Sequence, residues 1–254
     1  MTSVSMAVLA FACALSGATI GMAVRSRLPE HHLSRESIDV VKLATGLVAT
    51  LVALVLSLLI SSANSARVTV ENEYKAGRAE LIHLDHYLAA YGPQTAEARA
   101  ALRDAFAWIF ARHWPREDFG VRDISSVDDH NRLIQVERTI LALQPTSDEH
   151  KWFQSQALRL TVSLAQIYHL VASQEGSVQP PWPVLFVVSL CAAAIFASFG
   201  LFAAPNMTVL ASFVIAALAV AAAMFLIVDL GDPFNGFLTI SSAPAHATID
   251  ELGK

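Results

Sequence analysis

The sequence predicts an all-α integral membrane protein with four transmembrane helices and a helical-bundle insert between spans two and three. Three observations lead there. Hydrophobic residues make up 54% of the 254 and charged ones only 15%, against about 25% charged in an ordinary soluble domain. The two classes are segregated: residues 64–180 hold 12 of the 17 Lys and Arg and 15 of the 22 Asp and Glu, while 1–24, 43–63 and 183–228 hold none. No sustained apolar–polar alternation marks a strand. This balance excludes a soluble enzyme built on one core and a secreted disulfide scaffold. A formal charge of −5 without a basic block also excludes nucleic acid as a partner.

A span needs about 20 apolar residues, because a rise of about 1.5 Å per residue must cross about 30 Å of hydrocarbon. Span one covers about 5–24 and ends at Arg25 and Arg27. Its leading residues carry no Lys or Arg and its apolar run is long, so retention in the membrane is expected rather than cleavage as a signal peptide. Gly17 and Gly21 have GxxxG spacing, extended by Ala10 and Ala14, which is a helix-packing pattern. Span two covers about 43–63, entered through Lys42 and left at Asn64. Span three, about 183–204, is introduced by Pro180-Pro181-Trp182-Pro183, with Trp182 suited to the membrane interface. Span four, about 207–228, closes at Asp229. Only Pro205 and Asn206 separate spans three and four, which predicts a tight antiparallel hairpin. Cys13 and Cys191 both lie within spans and read as packing residues. Charge does not orient the chain: Arg25, Arg27, Arg35 and Lys42 on one side face Arg67, Lys75, Arg78 and Lys254 on the other.

These spans divide the chain into a first transmembrane pair (1–63), an extramembrane insert (64–180), a second transmembrane hairpin (181–229) and a tail (230–254). Span two is expected to continue as a helix to Tyr91, with Tyr74, Leu81, Leu84, Leu88 and Tyr91 as one apolar stripe, until Gly92-Pro93 stops it. Further insert helices are predicted over about 95–114 (Leu102, Phe106, Ile109 and Phe110 inward), 127–143 and 146–174. A charged loop spans 115–125, and Asp128-Asp129-His130 reads as a dipole-favourable first turn. The last of these helices starts at Thr146 or Ser147, where Thr146 and Glu149 have capping-box spacing. Phe153, Leu160, Leu164, Ile167 and Val171 line the last helix, which stops at Gly176. The tail opens on a turn-rich run, Asp229 to Gly236; residues 237–254 are too short and mixed for a fifth span.

Span two carries the most informative constellation. Gly46, Thr50, Ala53, Ser57, Ser61 and Asn64 share one face, flanked by Leu and Val. Such a stripe either lines a wet pore in an oligomer, its hydroxyls replacing part of an ion's hydration, or lets two helix backbones approach closely. No charge lies deep in a span, which disfavours pumps, coupled transporters and voltage sensors. Asp229 and Asp232 form an acidic pair at the membrane boundary, read first as a solvated turn. His83 and His86 flank Asp85 on a helix, but without a third ligand they read as a polar face, as do His31-His32 in the first loop. No phosphate-binding glycine loop, nucleophile elbow or HExxH occurs, so neither catalytic residues nor a metal or other cofactor is expected.

Several runs resemble the bestrophin-like domain family of bacterial membrane proteins. They are Val41-Lys42-Leu43-Ala44-Thr45-Gly46-Leu47, Leu88-Ala89-Ala90-Tyr91-Gly92-Pro93, the run from Ile195 to Asn206, and Asp232-Pro233-Phe234-Asn235-Gly236 followed by Ile240-Ser241-Ser242-Ala243-Pro244. Tyr168-His169 departs from the family, which would place an Arg-Trp-like pair there. The resemblance implies a multi-pass protein of the cell (inner) membrane and a homo-oligomer with span two around its axis. It also implies a passive channel for small inorganic ions, which are anions in bestrophins proper. Bestrophin necks are lined by bulky apolar residues, whereas the stripe here is small and polar, with no Lys or Arg ring to favour anions. The other class of function is a non-conducting membrane scaffold or sensor that binds a protein partner through its helical insert.

Overall fold

The computed structural model describes residues 2–27, 29, 35–121, 129–174, 182–203 and 206–253. His31, His32, Ser125, Val127, Asp128, Gly176, Pro180, Pro181, Ala204, Pro205 and Lys254 lie outside them, as do the side chains of Asp129 and His130. Among the described residues there is no strand. The helices are α1 (Ser3–Arg25), α2 (Arg35–Tyr91), α3 (Ala96–His113), α4 (Asp129–Leu141), α5 (Asp148–Gln174), α6 (Trp182–Phe202), α7 (Met207–Leu230) and α8 (Ala243–Glu251). Four of them, α1, α2, α6 and α7, are long and apolar enough to cross a membrane. The chain forms two compact units, Met1–Arg67 with Ser177–Leu238 and Val68–Gly176 with Thr239–Lys254, and α2 contributes to both.

In the first unit α1 packs along both α6 and α7, whose backbones stay apart and which meet through side chains such as Phe196 and Phe213, 6.1 Å between ring centroids. Spans three and four are therefore not the closely paired hairpin that their short linker predicts; α1 occupies the place between them. Its small residues make that fit. Gly17 and Gly21 lie so close to α6 that a Cβ on either would meet the carbonyl oxygens of Ala193 and Ala197, and for Gly21 also the Leu201 nitrogen at 2.9 Å. Gly200 of α6 likewise lies against the Ala18 carbonyl. Backbone contact of this kind supplies dispersion where the lipid removes any hydrophobic drive. Two apolar clusters flank it: Met6 and Ala10 with Val188, Met224 and Ile227, and Ala14 and Ala18 with Phe196, Phe213 and Ala217. The Arg25 guanidinium donates to the Ala203 carbonyl at the end of α6, satisfying one of the orphan acceptors of a helix C-terminus.

The second unit is built on the outer part of α2. Leu81, Leu84, Leu88 and Tyr91 are its buried face, and Leu102, Trp108, Val136 and Ile140 are buried on α3 and α4. Tyr74 is half-buried and makes edge contacts with Phe110 (5.8 Å) and Trp114 (5.2 Å); burial pushes its hydroxyl well above the ordinary phenol value. The helix ends at Gly92, whose φ of 125° only glycine adopts without strain. There the single proton of the Thr95 hydroxyl is shared between the Leu88 and Gly92 carbonyls, 2.5 and 2.7 Å away. At the start of α5 the capping oxygen belongs to Ser147, which accepts from the His150 N–H at 3.1 Å, while Thr146 meets the His150 ring. Of the two starts that the sequence offers, Thr146 and Ser147, the cap is Ser147.

Residues beyond Thr239 form part of this unit. The Trp114 indole donates to the Ile240 carbonyl at 3.0 Å, α8 packs on α3, and the His246 ring stacks on Phe119 at 4.1 Å. His83 and His86 are exposed, but Asp85 between them is buried. It accepts two hydrogen bonds from the Arg99 guanidinium at 2.7 and 2.8 Å and one from the Gly253 N–H at 3.4 Å. Tyr168 and His169, the departure from the family pattern, meet edge to face on α5.

Candidate pore-lining helix

Within the first unit α2 turns one narrow face to its neighbours. Thr45 and Ala63 are buried there, and Ala49, Val52, Leu56, Leu59 and Ile60 partly so. At about 100° per residue these positions share one side of the helix, and Val52, Leu56, Leu59 and Ile60 close over the Met6–Met224 cluster. The most apolar part of the helix as a whole is nearly bare: only 6% of it is buried, against 28–39% for the other three apolar helices. A Leu-rich helix that its own chain does not cover is stable facing lipid or facing another copy.

Gly46, Thr50, Ala53, Ser57, Ser61 and Asn64 are all exposed in the protomer. Their stripe is centred about 100° round the helix from the covered face. A Cβ on Gly46 would meet nothing within 4 Å, and the Thr50 hydroxyl donates to the Gly46 carbonyl at 2.9 Å. Opposite the covered face stands a second column that sequence reasoning treated only as flank. Leu43, Leu47, Leu54 and Leu58 are 76, 65, 62 and 70% exposed, which decides that nothing in the protomer covers them. On the remaining side Val48, Leu51 and Val55 form an apolar groove with Pro183, Val184 and Val187 of α6. A helical wheel drawn relative to Val52, Leu56 and Ile60 would have revealed the leucine column, had the covered face been known.

At the end of α7 the acidic pair divides. Asp232 is half-buried and makes a local turn, its carboxylate accepting from the Asn235 N–H at 3.1 Å. Asp229 is not the solvated turn residue that the sequence predicts: it is 1% exposed. The reason is its partners, for it accepts from the N–H groups of Phe237 (2.9 Å) and Leu238 (2.9 Å), which lie eight and nine residues on and fold back over it. Arg67 donates to the Leu238 carbonyl at 3.2 Å, so the same segment is held from both sides. Asp229→Ala leaves two N–H groups without acceptors, at a cost of about 1–3 kcal/mol. Amide exchange at Phe237 and Leu238 is expected to speed up accordingly, and unchanged exchange would contradict this role.

A family model, the bestrophin-like domain, matches residues 12–245. The chain belongs to the bestrophin-like family. Two solved structures of a bacterial bestrophin homologue from Klebsiella pneumoniae, each with a different single substitution, have the same fold as this bestrophin-like chain. One is 13% identical with a TM-score of 0.65, covering 95% of this chain and 97% of the other. The second is 15% identical with a TM-score of 0.62, covering 94% and 96%. At such identities the likeness is one of fold. No curated protein matches the bestrophin-like sequence.

Proposed function

We propose that this bestrophin-like protein is a passive ion channel of the cell inner membrane. In this reading it crosses the bilayer four times and assembles as a homo-oligomer, with α2 of each copy lining the pore and the 64–180 insert outside the bilayer. The observation that carries the reading is the bare membrane stretch of α2, which has no charge and little cover from its own chain. Gly46, Thr50, Ala53, Ser57, Ser61 and Asn64 are the water-facing stripe, offering hydroxyl and amide groups to a passing small inorganic ion.

A second reading of the same helix is favoured by the leucine column. In a ring of α2 helices, the side opposite the covered face points to the axis. Leu47, Leu54 and Leu58 then form a dry constriction, and the small stripe is where neighbouring copies pack.

Cysteines introduced at Ser57, Ser61, Leu54 and Leu58, on a background without Cys13 and Cys191, separate the two. Reaction with water-soluble reagents at 57 and 61 alone supports the polar pore, and reaction at 54 and 58 alone the leucine constriction. The companion measurement is chloride and potassium flux in liposomes. Ser57→Leu is expected to reduce flux at least tenfold without loss of assembly under the first reading. A folded oligomer that passes neither ion, with all four cysteines protected, would favour a non-conducting scaffold or sensor that binds a partner through the insert.

A further inference from the structure

The second unit holds a cavity of about 370 Å³ between α3, α4, α8 and residues 119–121, a volume within the range of about 300–1,000 Å³ typical of small-molecule sites. Arg103, Asp104, Trp108, Phe119, Arg132 and Ile249 are among its lining residues. The unsatisfied buried groups there are donors. Trp108 is fully buried and its Nε1–H has no acceptor, and the Nε–H of Arg132 is buried without one as well. Among the described residues Arg103 makes no ion pair. The guanidinium of Arg132 lies over the Trp108 ring at 5.3 Å and that of Arg112 at 5.8 Å. Asp104, exposed at the rim, is the carboxylate of the lining.

An indole N–H and a guanidinium can only donate, and arginine does not lose its charge at any working pH. Arg103 and Arg132 both line the cavity, and two guanidiniums in one lining call for an occupant that brings negative charge. Guanidinium forks match the planar oxygens of carboxylate and phosphate, while Phe119, Ile249 and the edge of Trp108 offer apolar surface beside them. We propose that this cavity binds a small organic oxyanion, a carboxylate or phosphate ester carried on a flat apolar body.

Isothermal titration of the full-length protein in detergent with benzoate, phenyl phosphate and benzyl alcohol tests the site. Saturable binding of benzoate or phenyl phosphate is expected, and none of the neutral alcohol. Arg103→Gln and Arg132→Gln are each expected to weaken it about tenfold or more, the value of a charge-assisted hydrogen bond. Arg138→Gln, on the exposed side of α4, should leave it unchanged. Arg132→Gln also removes the stack on Trp108 and risks the fold; Arg103, exposed at the rim, carries the test independently. Binding of neither oxyanion, equal binding of benzyl alcohol, or affinity undiminished in both arginine variants would overturn the proposal.

Discussion

Replacing Gly21 by leucine is expected to prevent α1 from seating in the first unit. What a side chain meets there is backbone, the Ala197 carbonyl and the Leu201 nitrogen, and helix backbones cannot move aside as a flexible side chain can. Overpacking a well-filled core costs about 1–3 kcal/mol even where side chains can yield, so the expected loss lies at or above that upper value. It should appear as loss of a folded, monodisperse protein in detergent, or as a large fall in thermal midpoint. Gly46→Leu is the matched control, since nothing stands within 4 Å of that position in the protomer. A Gly21→Leu protein that unfolds at the parental temperature would mean that α1 and α6 are not in backbone contact.

The second large effect is expected at Asp85. Its carboxylate is buried, and Arg99 grips it with two parallel hydrogen bonds from a side chain only 17% exposed. That hydrogen bond raises the Arg99 pKa above its ordinary value against the opposing cost of burial. A raised value on a base adds stability that is present at all pH below the ordinary arginine range and lost only above it, so the Arg99 side of the pair is insensitive to pH in the working range. Asp85→Ala leaves the guanidinium half-desolvated and the Gly253 N–H without its acceptor, a loss of about 3–5 kcal/mol when one partner of a buried pair is removed. The double variant Asp85→Leu with Arg99→Met should recover most of it, because apolar replacement of a whole buried pair is often nearly neutral. Denaturant unfolding followed by tryptophan fluorescence reads both. A single variant that costs no more than an exposed pair would show that Asp85 is not an anchor.

The features that could be read in the sequence are those written in local pattern. An uncharged run of about 20 residues has one stable environment, so each span could be placed, and the absence of breakers between Lys42 and Tyr91 correctly extended α2 into the insert. The stripe Leu81, Leu84, Leu88 and Tyr91 is local in the same sense. What escaped depends on partners distant in sequence. Nothing near Asp229 announces that two N–H groups eight and nine residues on will bury it, and a short linker says nothing about α1 lying between α6 and α7. The helix α8 did leave a signal in Ser242-Ala243-Pro244, since proline in a first helical turn forfeits only an N–H with no helical acceptor. The small stripe of α2 was visible as a stripe, but its position about 100° from the covered face depends on which residues α1, α6 and α7 touch. The Arg103–Trp108–Arg132 cavity was out of reach because its walls come from α3, α4 and the distant α8, which begins only at Ala243.

The joining of Thr239–Lys254 to the bundle begun at Val68 has a consequence for the order of events during synthesis. The α3 surface that receives Ile240 and α8 is translated well before its cover, with two membrane spans made in between. At about 5–20 residues per second, the 126-residue separation of Trp114 and Ile240 leaves that surface, with the Trp114 indole on it, uncovered for about 6–25 seconds on every nascent chain. The newborn bundle therefore passes through a sticky, half-closed stage that ends only after span four has been delivered to the bilayer. Its yield should depend on what shields α3 during that interval.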